Sequence, residues 1–131
     1  MIVAVPPVRP LDVFGPAEVL GDANRMRGGP PSYHVEVVAA GGERTVASHL
    51  GTPVHVDRRY DEAPDSAAGA AAGALPVDTL LVAGGLGARG RQYDGAFVAW
   101  LQAQAAAARR FGSICTGALV LAEAGLLLTG V

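Results

Sequence analysis

Four short apolar runs, each closed by proline, glycine or the lone cysteine, constrain this chain more than anything else in it. They are Ile2 to Val5 before Pro6-Pro7, Tyr33 to Ala40 before Gly41-Gly42, Asp78 to Ala83 before Gly84-Gly85, and Phe111 to Ile114 before Cys115. Short runs of this kind read as buried strands, and the nearly unbroken DTLLVA run reads as a strand covered on both faces. Between the runs the period changes. Leu11, Phe14, Val19 and Leu20 fall on one side of a helical wheel. Pro16 reads as the first helical residue, where its missing N–H is not needed. This helix runs to Arg27 and stops at Gly28-Gly29-Pro30-Pro31. A second helix spans Phe97 to Arg110, with Phe97, Leu101 and Ala105 on one face and two arginines at its C-terminal end. A third spans Ala118 to Ala124 and ends at Gly125. Strands alternating with helices predict an α/β fold, a doubly wound and mostly parallel sheet with helices on both faces.

Departures from that alternation are few. Arg44 to Ser48 and Thr52 to Arg58 alternate apolar and polar residues around His49-Leu50-Gly51, which predicts a two-stranded antiparallel flap. Pro64 to Pro76 is rich in Ala, Gly and Pro and reads as a surface connection. The length of 131 residues suits one domain over the whole chain. The run Leu126 to Val131 is apolar and calls for burial by something that follows, so the domain is expected to be incomplete at its C-terminal end or completed by a partner.

Composition excludes several classes. Half the residues are hydrophobic (50%) and 17% are charged, which excludes a disordered chain. All 10 basic residues are arginines, scattered without a stripe, and the net charge is −2. Direct nucleic-acid binding by this segment is therefore not expected. One cysteine excludes an internal disulfide framework and a Cys-rich zinc site, and it suits a reducing cytoplasm. No run approaches the roughly 20 apolar residues of a membrane span, and the N-terminus lacks the basic region of a signal peptide. A cytoplasmic protein with no membrane attachment is expected.

The sharpest chemical feature is Ser113-Ile114-Cys115-Thr116-Gly117. A strand runs into the cysteine, a helix follows, and small residues stand two before and two after. That is the arrangement of a nucleophile elbow with cysteine in place of serine. The following helix start favours the thiolate, a nucleophile that oxidises readily to sulfenic acid. The plain alternative is a buried structural cysteine. Ligands bind beyond the carboxyl ends of the strands in a doubly wound sheet, so Gly84, Gly85 and Cys115 are expected on one rim. There the Gly85 and Thr116 amides would point at an oxyanion beside the sulfur. Asp12 follows the first strand onto the same rim, either as an acid–base group or as a cap of the first helical turn. Glu18 lies further along that helix, either facing the cysteine or simply solvated. Cys115, Asp12, Thr116 and Gly85 are thus the candidate catalytic residues. Gly84, Gly85, Glu18 and Gly117 are the candidate ligand contacts. His34, His49 and His55 lack metal-ligand spacing and read as structural or exposed. Trp100 reads as core or subunit-contact material. No metal or cofactor is implied.

With these residues in hand, the chain resembles the DJ-1/PfpI superfamily, of the class I glutamine amidotransferase-like, flavodoxin-like fold. The stretches Leu11 to Val19 (LDVFGPAEV), Asp78 to Gly85 (DTLLVAGG) and Ser113 to Gly125 (SICTGALVLAEAG) carry the resemblance. Within the superfamily it is most similar to the N-terminal domain of GlxA-type AraC-family transcriptional regulators. The resemblance implies a reactive Cys115, with Thr116 and Gly85 as backbone donors. It also implies that Asp12 is the acidic residue that accompanies the cysteine in the isonitrile hydratase branch. The family pattern continues beyond the elbow helix, through a Thr-His-Trp segment and, in the regulators, a helix-turn-helix module that these residues do not include. The implied function is a ligand- or redox-sensing, homodimeric domain of a regulator that takes a small-molecule ligand. The alternative is an isonitrile hydratase-like enzyme with Cys115 as nucleophile; a third reading is a truncated product without activity of its own.

Overall fold

A computed structural model describes residues 1–63, 77–90 and 92–127. Its elements are β1 (Ile2–Ala4), α1 (Pro10–Arg27), β2 (Val37–Ala39), β3 (Thr45–Val46), β4 (Val54–His55), β5 (Arg58–Arg59), β6 (Thr79–Val82), a 3₁₀ turn (Leu86–Arg89), α2 (Gly95–Ala107), β7 (Arg110–Ser113) and α3 (Gly117–Glu123). The connection read from Pro64 to Pro76 lies outside the described residues, as does the end of the apolar run after Leu127.

The main sheet has the order β5–β2–β1–β6–β7, and every pairing in it is parallel. Without the short edge strand β5 the order is β2–β1–β6–β7, the flavodoxin-like order. Alternation along the strands builds a core on each face. Val3, Leu80 and Val82 pack on one side with Phe97, Leu101 and Ala105 of α2 and with Val120 and Leu121 of α3. Ile2, Ala4 and Ala39 pack on the other side with Val13 of α1 and with Val46 and Val54 of the flap. Tyr60 and Trp100 extend the first core, their rings stacking around Phe97 at centroid distances of 5.4 and 6.0 Å. Among the described residues no helix is long and apolar enough to cross a membrane.

Five expectations about the elements need correction. The first helix begins at Pro10, not Pro16, and Pro16 sits inside it. The helical wheel is turned as well. Leu11, Phe14 and Val19 are 73%, 49% and 67% exposed, while Asp12 and Val13 face the protein. The Tyr33 to Ala40 strand is reduced to Val37–Ala39. Asn24 explains why: its side-chain oxygen takes the Ser32 and Tyr33 amides at 2.9 and 2.8 Å, so the chain there is tied to α1 rather than to the sheet.

The second flap strand, read as Thr52 to Arg58, divides in two. Val54–His55 pairs antiparallel with Thr45–Val46, as expected. At Asp57 the chain leaves the flap, because the Asp57 amide bonds Val37 O at 3.0 Å and its carboxylate accepts the Val37 amide at 2.8 Å. Arg58–Arg59 then joins the main sheet beside β2. The buried Arg58 guanidinium pairs there with Glu36.

The second helix also shifts, starting under an Asp94 cap that accepts the Ala96 amide at 3.2 Å. Its expected arginine end belongs to the next elements. Arg109 bonds Asp78 at 2.7 Å and Arg110 opens β7. The Arg109 guanidinium beside Asp78 holds that carboxyl at about 2, well below its usual range.

Among the described residues, the α1 side of β6 and β7 is left open. A groove of about 1220 Å³ runs between Val19 and Leu20 of α1 and Leu81, Phe111 and Ile114 of the sheet.

Candidate active site at the strand–helix elbow

Parallel strands in register bring three loops to one rim. Val3 of β1 lies opposite Val82 of β6, and Val82 lies opposite Ser113 of β7. Pro6 to Arg9, Gly84 to Gly87, and Cys115 with Thr116 therefore leave the sheet side by side.

The elbow is pressed onto β6. The Ile114 amide bonds Val82 O at 2.9 Å, and the Gly117 amide turns back to Ile114 O at 3.0 Å. A Cβ on Gly117 would stand 2.0 Å from Val82 O, so only glycine allows this approach. Gly117 therefore faces the β6 backbone. Cys115 sits at the bend with φ 53°, in the left-handed region that residues with a Cβ rarely adopt, and it is exposed. The thiol is thus not part of the apolar core.

Asp12 is 7% exposed, and its Oδ2 accepts the Gly84 amide at 3.1 Å. The carboxylate therefore reaches across to the β6 loop instead of capping its own helix. A Cβ on Gly84 would stand 2.6 Å from Asp12 Oδ2, 2.8 Å from Thr116 Oγ1 and 2.9 Å from Thr116 N. Asp12, Gly84 and Thr116 thus converge on one point beside the elbow.

The expected pair of oxyanion donors is rearranged. The Gly85 amide donates to Thr116 Oγ1 at 3.0 Å, and that hydroxyl lies 3.3 Å from Gly85 O. Both amides of the Gly-Gly turn are therefore occupied by side chains. The Thr116 N–H remains unbonded among the described residues. Glu18 stands exposed on α1 and makes no hydrogen bond to the rim among the described residues. His34, His49 and His55 are all exposed.

Sequence reasoning missed the segment Pro7 to Arg9. The Arg9 amide bonds Gly84 O at 2.9 Å, and the Gly87 amide bonds Pro7 O at 2.9 Å. Val8 between them is fully buried. The available signal was Pro6-Pro7, since two successive prolines end β1 and send the chain across the rim.

The Asp12–Gly84 bond gives a measurable expectation. Asp12→Ala leaves the Gly84 amide unsatisfied in a buried place and is expected to cost about 1–3 kcal/mol. Asp12→Asn keeps an acceptor oxygen and is expected to cost less. Urea unfolding of the two variants checks this; equal losses would show that the bond does not hold the turn.

Comparison with known proteins agrees with this architecture. The sequence profile of the DJ-1/PfpI family matches residues 1–130. A Streptomyces lividans protein, "Uncharacterized protein in cpoL 5'region", is 38% identical over 117 residues, which is 89% of this chain and 72% of that protein. The HTH-type transcriptional regulator GbdR of Pseudomonas aeruginosa is 36% identical over 110 residues, 84% of this chain. The chain spans only 26% of that regulator's length. Among solved structures, the C103A mutant of the DJ-1 superfamily protein STM1931 from Salmonella typhimurium superposes with a TM-score of 0.64. That match is 22% identical and covers 96% of this chain and 60% of the other, a likeness of fold.

Proposed function

This chain belongs to the DJ-1/PfpI family, and from that premise we propose that it is the ligand- or redox-sensing domain of an AraC-family transcriptional regulator. The observation that carries the reading is the exposed Cys115 thiol, held in a strained bend one residue from the point where Asp12, Gly84 and Thr116 converge. A transcriptional regulator is 36% identical to this chain over 110 residues, which supports the regulator reading. An exposed thiol with polar neighbours suits a site that takes a small molecule or registers oxidation. Differential affinity for two states of the intact regulator would then carry the signal. In this reading the domain works as a homodimer in the cytoplasm, and other parts of the regulator contact DNA.

The test is thermal unfolding of the chain against metabolite pools and against hydrogen peroxide, beside a Cys115→Ser variant. A ligand at 100 times its Kd is expected to add about 2.7 kcal/mol of stability. Peroxide is expected to shift the unmodified protein and not Cys115→Ser. No response to any metabolite pool or to peroxide would count against sensing.

A second reading rests on the same residues. The burial of Asp12 beside the elbow suits an isonitrile hydratase-like enzyme, with Cys115 attacking and Asp12 moving the proton. Turnover of isonitriles that disappears in Cys115→Ser would favour it over the sensor.

A further inference from the structure

The rim and the exposed flap tip are joined by an unbroken series of hydrogen bonds and close contacts, and we propose that residues Pro7 to Arg9 are a strap coupling the two. The series starts at the elbow, where Thr116 Oγ1 holds the Gly85 peptide at both its N–H and its C=O. Gly85 lies directly on the strap. A Cβ there would stand 2.5 Å from Arg9 N and 2.7 Å from Pro7 O. Arg9 N to Gly84 O and Gly87 N to Pro7 O, each 2.9 Å, fasten the strap on both sides of that contact.

On its other edge the strap carries the flap. Val8 N donates to Ala47 O at 2.8 Å, and His49 N donates to Val8 O at 3.3 Å. Ser48, buried between these bonds, donates to Thr52 O at 2.5 Å and accepts the Leu50 amide at 3.2 Å, which closes the tip. The tip itself, His49-Leu50-Gly51, is exposed, and Leu50 is 67% exposed.

The strap has little freedom to absorb a shift locally. Val8 is fully buried, and Gly85 and Gly87 have no room for a side chain on the rim side. A displacement of the Gly84–Gly85 turn must therefore move the strap, and a moved strap must strain or break the Val8 bonds to Ala47 and His49. The flap is the yielding partner, because its ladder is short: Thr45–Val46 pairs with Val54–His55, and one further bond runs from Val56 N to Arg44 O at 2.8 Å. Two sites and a connecting element that both bias are what coupling between sites requires. An event at Cys115 is thus read out at the flap tip.

This inference rests on the sensing reading, and the test separates the two. Iodoacetamide serves as the probe, since it bonds the sulfur by displacing iodide and needs no knowledge of the natural ligand. Hydrogen exchange is measured amide by amide before and after alkylation. The Val8 and His49 amides are expected to exchange about fivefold faster or more after alkylation, the low end of typical coupling between sites. The Phe97 to Leu101 amides of α2 serve as the unaffected reference. Thr116→Val, which removes the hydroxyl that grips Gly85, is alkylated to completion before exchange is measured, and its flap is expected no longer to respond. Thr116→Ser is expected to restore the response, which shows that loss of folding is not the cause. Faster exchange at Gly84 and Gly85 with unchanged Val8 and His49 would overturn the strap and leave sensing intact. A flap response to alkylation, with no response to any metabolite or to peroxide, would keep the strap and sink the sensing reading.

Discussion

Gly117→Ala is expected to destabilise the fold by about 3 kcal/mol, the upper end of what overpacking costs. The cause is backbone against backbone. The new Cβ would lie 2.0 Å from Val82 O and 2.8 Å from Val82 C, buried backbone atoms at the end of β6 that no rotamer change can move aside. Relief requires the elbow to lift off β6, which breaks the Ile114 to Val82 bond of 2.9 Å and carries Cys115 with it. The variant should therefore lose its response at Cys115 together with its stability. Gly15→Ala is the contrast. It lies inside α1, where a Cβ meets nothing within 4 Å, and is expected to gain about 0.5–1 kcal/mol from reduced unfolded-state freedom. Urea unfolding with an unchanged m-value reads both. A Gly117→Ala protein within about 0.5 kcal/mol of the parent, the range of neutral surface changes, would show that the elbow is not pinned to β6.

The fold was legible where local chemistry and tertiary structure agree. Leu80 and Val82 are apolar because α2 and α3 cover that side of β6, while Leu81 on the other side packs against the second core and lines the groove beside α1. The helix around Phe97, Leu101 and Ala105 shows its buried face in its own spacing. Errors arose where two signals of the same kind compete. The preference of proline for the first helical turn is a sound rule, but both Pro10 and Pro16 satisfy it. Pro10 is the true start, and the helix tolerates Pro16 despite the lost bond. The wheel drawn from the apolar residues then pointed the wrong way, because Asp12 rather than Leu11 turns inward to meet Gly84. Hydrophobicity alone does not show a carboxylate whose partner lies 72 residues away. Likewise, the side chains of Asn24 and Asp57 set where β2 begins and where the flap ends, and both act through backbone partners distant in sequence.

The site was legible as a list of residues more than as a set of roles. Asp12, Thr116 and the Gly-Gly turn meet beside the elbow that carries Cys115, and the parallel register of β1, β6 and β7 sets the loops that carry them side by side. The direction of each amide did not follow. The sheet topology suggests that the Gly85 N–H points at an oxyanion beside the sulfur, whereas Thr116 Oγ1 takes it. A threonine hydroxyl has a free rotor, and where it settles depends on loops that only the fold brings together.

Cys115 itself should be the residue whose loss improves the fold. A left-handed conformation costs a residue with a Cβ roughly 1–2 kcal/mol, and Cys115 holds φ at 53°. Cys115→Gly removes that strain and adds about 0.5–1 kcal/mol of unfolded-state freedom, so a net gain of up to about 1.5 kcal/mol is expected. Cys115→Ala keeps the Cβ and the strain, and should gain nothing. The functional effect is all-or-none, since the chain has one cysteine and iodoacetamide labelling can report no other. The parent should take one adduct, and both variants none. A structural cysteine predicts the reverse order, because removing a packed sulfur leaves a hole that glycine enlarges more than alanine. Denaturation midpoints of the three proteins decide between the two. If Cys115→Gly unfolds before Cys115→Ala, the bend is not strained, and the thiol is there for packing. If it unfolds after, this position keeps its sulfur at a cost to stability, as expected of a residue retained for chemistry.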